Sequence, residues 1–451
     1  MRRLFGTDGV RGIANEFLSC ERAMAIGRAL GHVLSSNRKY KPTVLIGMDT
    51  RISSEMLASA ISAGLLSVGS DVISLGVVPT PAVAYLVKKY GAKAGIMISA
   101  SHNSFEYNGI KIFGEDGFKL SDEVEETIES IVLDNTPPIK MASESEIGNR
   151  KTAEGAVSDY ISYLCEACDR KLSGIKIALD ASNGSASATA SELFRRLGAD
   201  VRIINASPDG ININKNCGST RIEALQDFVT REKMDVGIAF DGDADRCIAV
   251  DERGFEVDGD YIMAILALDL KRKGLLSKNT VVGTVMSNFG FHKFCEENDI
   301  NFIPTKVGDR YVLEMINQEG YAFGGEQSGH IILRRHATTG DGQLTAIMLL
   351  SAILESGKAL SELSRVMRKY PQHIVNIKAT PAQKIALFTD GEIKKIISEA
   401  EATLQNSGRL VIRPSGTEPL VRIMTEGEDD ESNREFCEGI AEKIREKLVN
   451  Y

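Results

Sequence analysis

TVLIGMDTRISSEMLASAISAGLLSVGSDVISLGVV, from Thr43 to Val78, passes from a short apolar run to a helical pattern and back. TVLIGMD reads as a strand, SEMLASAISAGLLSVG as a helix closed by a glycine, and DVISLGVV as a second strand. A helix between two strands of this kind is a βαβ unit and predicts a mainly parallel sheet. The pattern extends in both directions. Upstream, Ser19 caps a helix whose apolar face is Ala23, Ile26, Leu30 and Val33; downstream, PAVAYLVKKY is a helix and AGIMIS a third strand.

The same texture restarts twice. The polar stretch 134–155, with Pro137 and Pro138, reads as a boundary. Beyond it come strand IKIALD, helix SASATASELFRRLG, strand DVRIIN, a helix from Ile222 to about Glu232 and strand DVGIAF. After Asp258, helices YIMAILALDLKRKG, FHKFCEEN, RYVLEMINQ and TAIMLLSAIL alternate with strands TVVGTVM, NFIPTK and YAFGG. Past Tyr370 the pattern becomes α+β, with strands HIVNIKA, RLVIR and LVRIMTE among charged helices. The expected domains are 1–150, 151–255, 256–369 and 370–451, and 451 residues suit several domains of ordinary size.

Composition narrows the class. Hydrophobic and charged shares of 43% and 25% are those of a globular protein, and the net charge of −9 argues against a broad nucleic-acid footprint. Seven scattered cysteines do not suggest a disulfide framework and suit a reducing cytosol. The pair Cys165 and Cys168 lies in YISYLCEACDRKL, which reads as an amphipathic helix. MRRLFGTDGVRG lacks the apolar segment of a signal peptide, and no run is long enough to span a bilayer, so a cytoplasmic protein without a membrane partner is expected.

Each module has an apolar strand running into a dense polar motif: IMIS into SASHN, GIAF into DGDADR, YAF into GGEQSGH, and LVI into RPSGTEP. Ligands in α/β sheets bind beyond the carboxyl ends of strands, so the four ends are expected to converge on one cleft. DGDADR sets Asp241, Asp243 and Asp245 at alternate positions, a repulsive trio that a divalent cation would hold together. An all-oxygen donor set favours Mg²⁺, Mn²⁺ or Ca²⁺ over zinc. The EF-hand pattern fails, because Arg246 occupies the position where that loop needs glycine. RPSGTEP, with Arg413, Ser415, Gly416 and Thr417 and with Arg422 downstream, offers a phosphate cradle or an ordinary hairpin turn. In GGEQSGH, Glu326, Ser328 and His330 share one face if the segment is extended, which suits sugar hydroxyls. FGTDGVRG places Arg11 among glycines. Ser101 is not in a G-x-S-x-G elbow, and no G-x-x-x-x-G-K-[ST] sequence occurs.

SASHN, NGIK, DGDADR, GEQSGH and RPSGTEP, in that order, closely resemble the α-D-phosphohexomutase superfamily over essentially the whole chain. FGTDGVRG, TKVGDRYV and Gln327 of GEQSGH resemble the bacterial members that act on glucosamine phosphates, whereas relatives acting on mannose and glucose phosphates more often carry methionine there. The resemblance implies three similar mixed α/β domains and a C-terminal α+β domain around a central cleft. It implies a reversible phosphoryl shuttle between glucosamine 6-phosphate and glucosamine 1-phosphate through a 1,6-bisphosphate, feeding cell-wall precursor supply. Mannose or glucose phosphate is the alternative substrate. By this resemblance Ser101 is the phosphoserine and joins Asp241, Asp243 and Asp245 around one Mg²⁺, and a hexose 1,6-bisphosphate is the activator. Lys111 and His330 are the acid–base candidates. Arg246 neutralises the moving group, while His102 and Arg11 lie at the phosphoserine. Glu326 and Ser328 bind sugar, and Arg413, Ser415, Gly416, Thr417 and Arg422 hold the idle phosphate. A homodimer is implied. One departure is Ser104, where the family usually has proline; a more mobile loop is the expectation.

Overall fold

The computed structural model describes residues 3–6, 8–35, 41–405, 407–415, 419–449 and 451. The chain divides into two compact units, Met1–Thr284 with Thr305–Arg365, and Val285–Pro304 with Val366–Tyr451.

The first unit carries the sheets of the first two modules and strands Thr280–Thr284, Phe323–Gly325 and Ile331–Leu333 of the third. Strands Thr43–Met48, Asp71–Val77 and Ala94–Ile98 run parallel, as the βαβ reading requires. Helices Cys20–Ser35 and Ile52–Ser67 follow from the periodicities read above. They pack closely because glycines meet backbone: a Cβ on Gly27 would lie 2.5 Å from Ile61 O, and one on Gly64 2.2 Å from Met24 O. The helices and the sheet bury Leu30, Leu57, Ile61, Val44 and Ile96 in one core.

The sheet is more mixed than expected. Tyr107–Gly114 returns antiparallel to Ala94–Ile98, and Val10–Ile13 adds antiparallel to it. The reason is length: a parallel return needs a crossover of a dozen or more residues, and the Ser99–Glu106 connection is too short. The second sheet repeats the device. Lys176–Asp180 is parallel to Asp200–Ile204 and to Val236–Phe240, and Cys247–Asp251 folds back antiparallel on the last. The segment read as one helix, SASATASELFRRLG, is a 3₁₀ turn at Ser185–Ala188 followed by helix Ala190–Arg196. In the third module, Thr280–Thr284 lies parallel to Phe323–Gly325, which turns back into Ile331–Leu333. The CxxC pair closes helix Ala156–Ala167, where Cys168 Sγ donates to Arg170 O at 3.0 Å.

In the second unit, Gln372–Lys378, Leu420–Gly427 and Gly408–Pro414 form an antiparallel sheet with Leu420–Gly427 in the middle. Helices Pro381–Thr389, Gly391–Leu404 and Asp430–Leu448 accompany it, and Ile377, Val421, Ile423, Ile393 and Ile440 build the core. Among the described residues no single helix is long and apolar enough to cross a membrane.

Candidate active site

Two strand ends of the first unit deliver a hydroxyl and three carboxylates to one point. Beyond Ile98 the chain turns at Ser101, whose φ of +52 lies in the left-handed region. Its side chain is buried, and Oγ donates to Asp241 Oδ2 at 2.6 Å. Beyond Phe240, Asp241, Asp243 and Asp245 follow in a hairpin loop in which Ala244 also has positive φ. Gly242 is required there, because a Cβ would sit 2.6 Å from Ser101 O. The two loops therefore interlock, although 140 residues separate Ser101 from Asp241.

The three aspartates are buried, and one oxygen of each lies within 4.8 Å of the others. Asp243 Oδ1 and Asp245 Oδ1 are buried with no hydrogen-bond partner. Unpartnered buried carboxylate oxygens cost stability unless something positive meets them. The residues present thus fit a divalent cation held by hard oxygen donors. The protein offsets part of the charge itself. Lys111 Nζ lies 2.8 Å from Asp243, 3.4 Å from Asp245 and 3.4 Å from Asp8. Burial alone would lower the Lys111 pKa, but these carboxylates hold it above its ordinary value. Burial and the neighbouring Asp245 and Asp243 push Asp241 well up. Asp245 goes the other way: burial raises it, yet Lys111 and His330 outweigh that and hold it low.

Cationic groups with spare donors act on His102, the residue after Ser101. Arg246 Nε and Arg11 Nε are buried without hydrogen-bond partners, and Arg11 pairs with Asp8. His102 Nδ1 lies 3.4 Å from Ser101 Oγ; burial, Arg246 and Arg11 pull its pKa down to about 4, so the ring is neutral near pH 7. Guanidinium donors close to the serine loop suit an incoming phosphoryl group.

The GGEQSGH segment does not have the single face expected of an extended strand. Gly329, at φ +87, turns it tightly between Phe323–Gly325 and Ile331–Leu333, with Glu326 N donating to His330 O at 3.0 Å. His330 is buried, with Nδ1 3.6 Å from Asp245 and Nε2 3.7 Å from Asp309. Gly340 N donates to Nε2 at 3.1 Å. Burial opposes protonation, while Asp245, Asp309 and Glu326 draw the His330 pKa up to about 9; the ring accepts from Gly340 N only in its neutral form and loses that bond when protonated. Glu326 Oε1 accepts from Gly308 N at 3.0 Å, and Ser328 is exposed on the turn. The Gln327 amide donates to Asp258 Oδ2 at 3.2 Å, and Asp258 caps helix Gly259–Arg272.

In the second unit, Arg413 and Arg422 are directly opposed cross-strand neighbours. They line a cavity of about 370 Å³ with Met286, Ile374, Asn376, Val411 and Met424. Burial and the facing Arg422 hold Arg413 below its ordinary pKa. Like charges set opposite each other destabilise a sheet, so the pair suits an anion. Ser415 N closes the following turn on Leu420 O at 2.8 Å. Gly416 and Thr417 lie outside the described residues.

Five residues escaped the sequence reading. Asp8 and Asp309 both bind Lys119 Nζ at 2.6 Å, a half-buried chain that joins the Arg11 and His330 neighbourhoods. Their signal was available, since Asp8 is in FGTDGVRG and Asp309 in TKVGDRYV. Arg51 and Asn214, which bind the Ser101 loop, carried no such signal.

Four family models match in sequence order. They are phosphoglucomutase/phosphomannomutase alpha/beta/alpha domain I at residues 2–138, domain II at 158–254, domain III at 258–370 and the C-terminal domain at 374–443. A phosphoglucosamine mutase from Clostridium novyi strain NT is 51% identical over 447 residues, covering 99% of both chains. A crystal structure of a phosphoglucomutase/phosphomannomutase family protein from Burkholderia thailandensis superposes with a TM-score of 0.80 at 21% identity, covering 98% of this chain and 97% of that one. An N-acetylphosphoglucosamine mutase from Aspergillus fumigatus, in complex with GlcNAc-6P and magnesium, gives a TM-score of 0.69 at 17% identity, covering 98% and 96%.

Proposed function

The chain belongs to the phosphoglucomutase/phosphomannomutase family, and from that premise we propose that it interconverts glucosamine 6-phosphate and glucosamine 1-phosphate through a phosphorylated Ser101. The substrate assignment draws on the relatives named phosphoglucosamine mutase. The observation that carries the mechanism is the Ser101 hydroxyl, 2.6 Å from one member of a carboxylate trio with two unpartnered oxygens.

In this reading Asp241, Asp243 and Asp245 hold Mg²⁺, which supplies charge neutralisation for the transferring group. Arg246 and Arg11 turn their spare donors to the phosphoryl oxygens on Ser101. The bond from phosphorus to Ser101 Oγ breaks as one forms to a hydroxyl oxygen of the sugar phosphate. That hydroxyl yields its proton to a base, and Ser101 Oγ regains one. The resulting 1,6-bisphosphate turns over in the site and returns its other phosphate to Ser101. A hexose 1,6-bisphosphate would load Ser101 initially.

Lys111 and His330 divide the proton work unequally. Lys111 is saturated by carboxylates and acts as a fixed positive charge beside the aspartates. His330, held between Asp245 and Asp309, is the better proton carrier. Neutral His102 orients Ser101. Glu326 and Ser328 bind sugar hydroxyls from the turn, and Arg413, Ser415 and Arg422 bind a phosphate in the second unit, with Gly416 and Thr417 as the remaining turn residues of that motif.

The test is phosphorus NMR of glucosamine 6-phosphate, glucose 1-phosphate and mannose 1-phosphate with purified protein, Mg²⁺ and a trace of glucose 1,6-bisphosphate. Fastest conversion of the amino sugar supports the reading; a preferred neutral hexose replaces the substrate and keeps the mechanism. Ser101→Ala should cut interconversion by several orders of magnitude, and near-normal turnover would end the phosphoserine proposal.

A further inference from the structure

Ser101 keeps a left-handed backbone although it is not glycine, a conformation disfavoured for an L side chain. Something must hold the loop in it. Arg51 is almost fully buried at 2% exposure, and its guanidinium is spent on that loop. Nη2 donates to Ser101 O at 2.8 Å and to Asn103 O at 2.9 Å, and Nη1 donates to Ser104 O. Nε donates to buried Asp49 Oδ2 at 2.8 Å, and Ser54 Oγ donates to Asp49 Oδ1 at 2.8 Å. From the second module, Asn214 Nδ2 donates to the same two carbonyls, Ser101 O at 2.8 Å and Asn103 O at 2.9 Å.

We infer that Arg51 and Asn214 are positioning residues for phosphoryl transfer, acting through the backbone of residues 101–104 to aim Ser101 Oγ at Asp241. Arg51 reaches the carbonyls of Ser101, Asn103 and Ser104 with a rigid fork, a geometry that a lysine ammonium does not reproduce. Asn214 closes the clamp from the far side. The Ser104 carbonyl, which a proline in the family pattern would offer equally, accepts from Arg51. The loop expected to be mobile is pinned at three of its carbonyls by five donated hydrogen bonds.

This inference rests on Ser101 as the phosphoryl acceptor, so its test must separate the two. Full-length Arg51→Lys, Asn214→Gly, the double variant and Ser101→Ala are compared with wild type. Glycine is chosen at 214 because Asn214 sits at φ +59. The readouts are kcat and KM for glucosamine 6-phosphate, and Ser101 occupancy by peptide mass spectrometry after loading with glucose 1,6-bisphosphate. We expect kcat to fall about 100-fold for Arg51→Lys and about tenfold for Asn214→Gly, with KM near wild type. The double variant should lose less than the product of the two, since both residues grip the same oxygens. Wild-type kcat in both single variants overturns the inference, and so does a loss confined to KM. If Arg51→Lys fails to fold, Asn214→Gly decides alone. Normal turnover by Ser101→Ala defeats the phosphoserine reading itself, whatever the clamp variants do.

Discussion

Two buried charge clusters, one in each unit, differ in a way that separates binding from structure. In the first unit Asp241, Asp243 and Asp245 crowd together, and two of their oxygens have no partner. In the second, Glu426 is fully buried yet saturated. It accepts from Arg409 Nε at 2.5 Å, Phe289 N at 2.8 Å, Asn288 Nδ2 at 3.0 Å and Gln372 Nε2 at 3.2 Å. Arg409 goes on to Val285 O and His292 Nε2, both at 3.1 Å, and to Ser287 O. That network staples residues 285–304 to the sheet of the same unit. A saturated cluster holds the fold; an unsaturated one awaits a ligand.

The largest effect should come from neutralising one charge of the unsaturated cluster. Asp241→Asn is expected to lower turnover on the order of 10²–10³-fold, the scale of removing one preorganised electrostatic partner. Burial and its two carboxylate neighbours already disfavour ionised Asp241. The metal-free protein should therefore melt no earlier than wild type. Unchanged activity, or a clear drop in melting temperature without Mg²⁺, would show that the cluster is structural after all.

Arg409→Met reverses the pattern. It strands Glu426 without a counter-charge and should cost about 3 kcal/mol of stability by urea unfolding. The Mg²⁺ concentration for half-maximal turnover should stay where it is. A shift in that requirement would break the distinction between the two clusters.

His292 supplies the next effect, through pH. Burial and then Arg409 lower its pKa to about 4 in the folded state. Protons then favour the unfolded chain, so stability is complete above the unfolded value near 6.5 and is lost as pH falls from there toward 4. Between pH 7 and pH 5 the loss from this residue should be about 2 kcal/mol. In His292→Gln the pH dependence should flatten by that amount; an identical slope would exclude His292 as its source.

The sequence carried the alternation of strands and helices and the residues of the metal loop, because both are local patterns. It did not carry the antiparallel returns at Tyr107–Gly114 and Cys247–Asp251 as such, which follow from loop length. Nor could spacing reveal Lys119, whose partners Asp8 and Asp309 lie 111 and 190 residues away. Arg51 sits just before a helix, where a charged residue is ordinarily solvated; only the fold brings the Ser101 carbonyl to it. Alternation failed in GGEQSGH because one glycine at positive φ replaced an extended strand by a turn.

That turn gives the smallest and most discriminating prediction. Gln327 was the residue whose identity suggested an amino-sugar substrate, yet its amide donates to Asp258, which accepts from the first turn of helix Gly259–Arg272. Gly259 N in turn donates to Gln327 O at 3.0 Å. The residue thus docks the turn carrying Glu326 and Ser328 onto a helix end. Methionine at 327 would remove one donor to a carboxylate, a loss of about 1 kcal/mol in unfolding. If docking is its role, Gln327→Met should leave the ratio of kcat/KM for glucosamine 6-phosphate over glucose 6-phosphate within about tenfold of wild type, since no contact to the sugar is removed. A larger swing toward glucose would mean that the amide leaves Asp258 and reaches the substrate during the reaction.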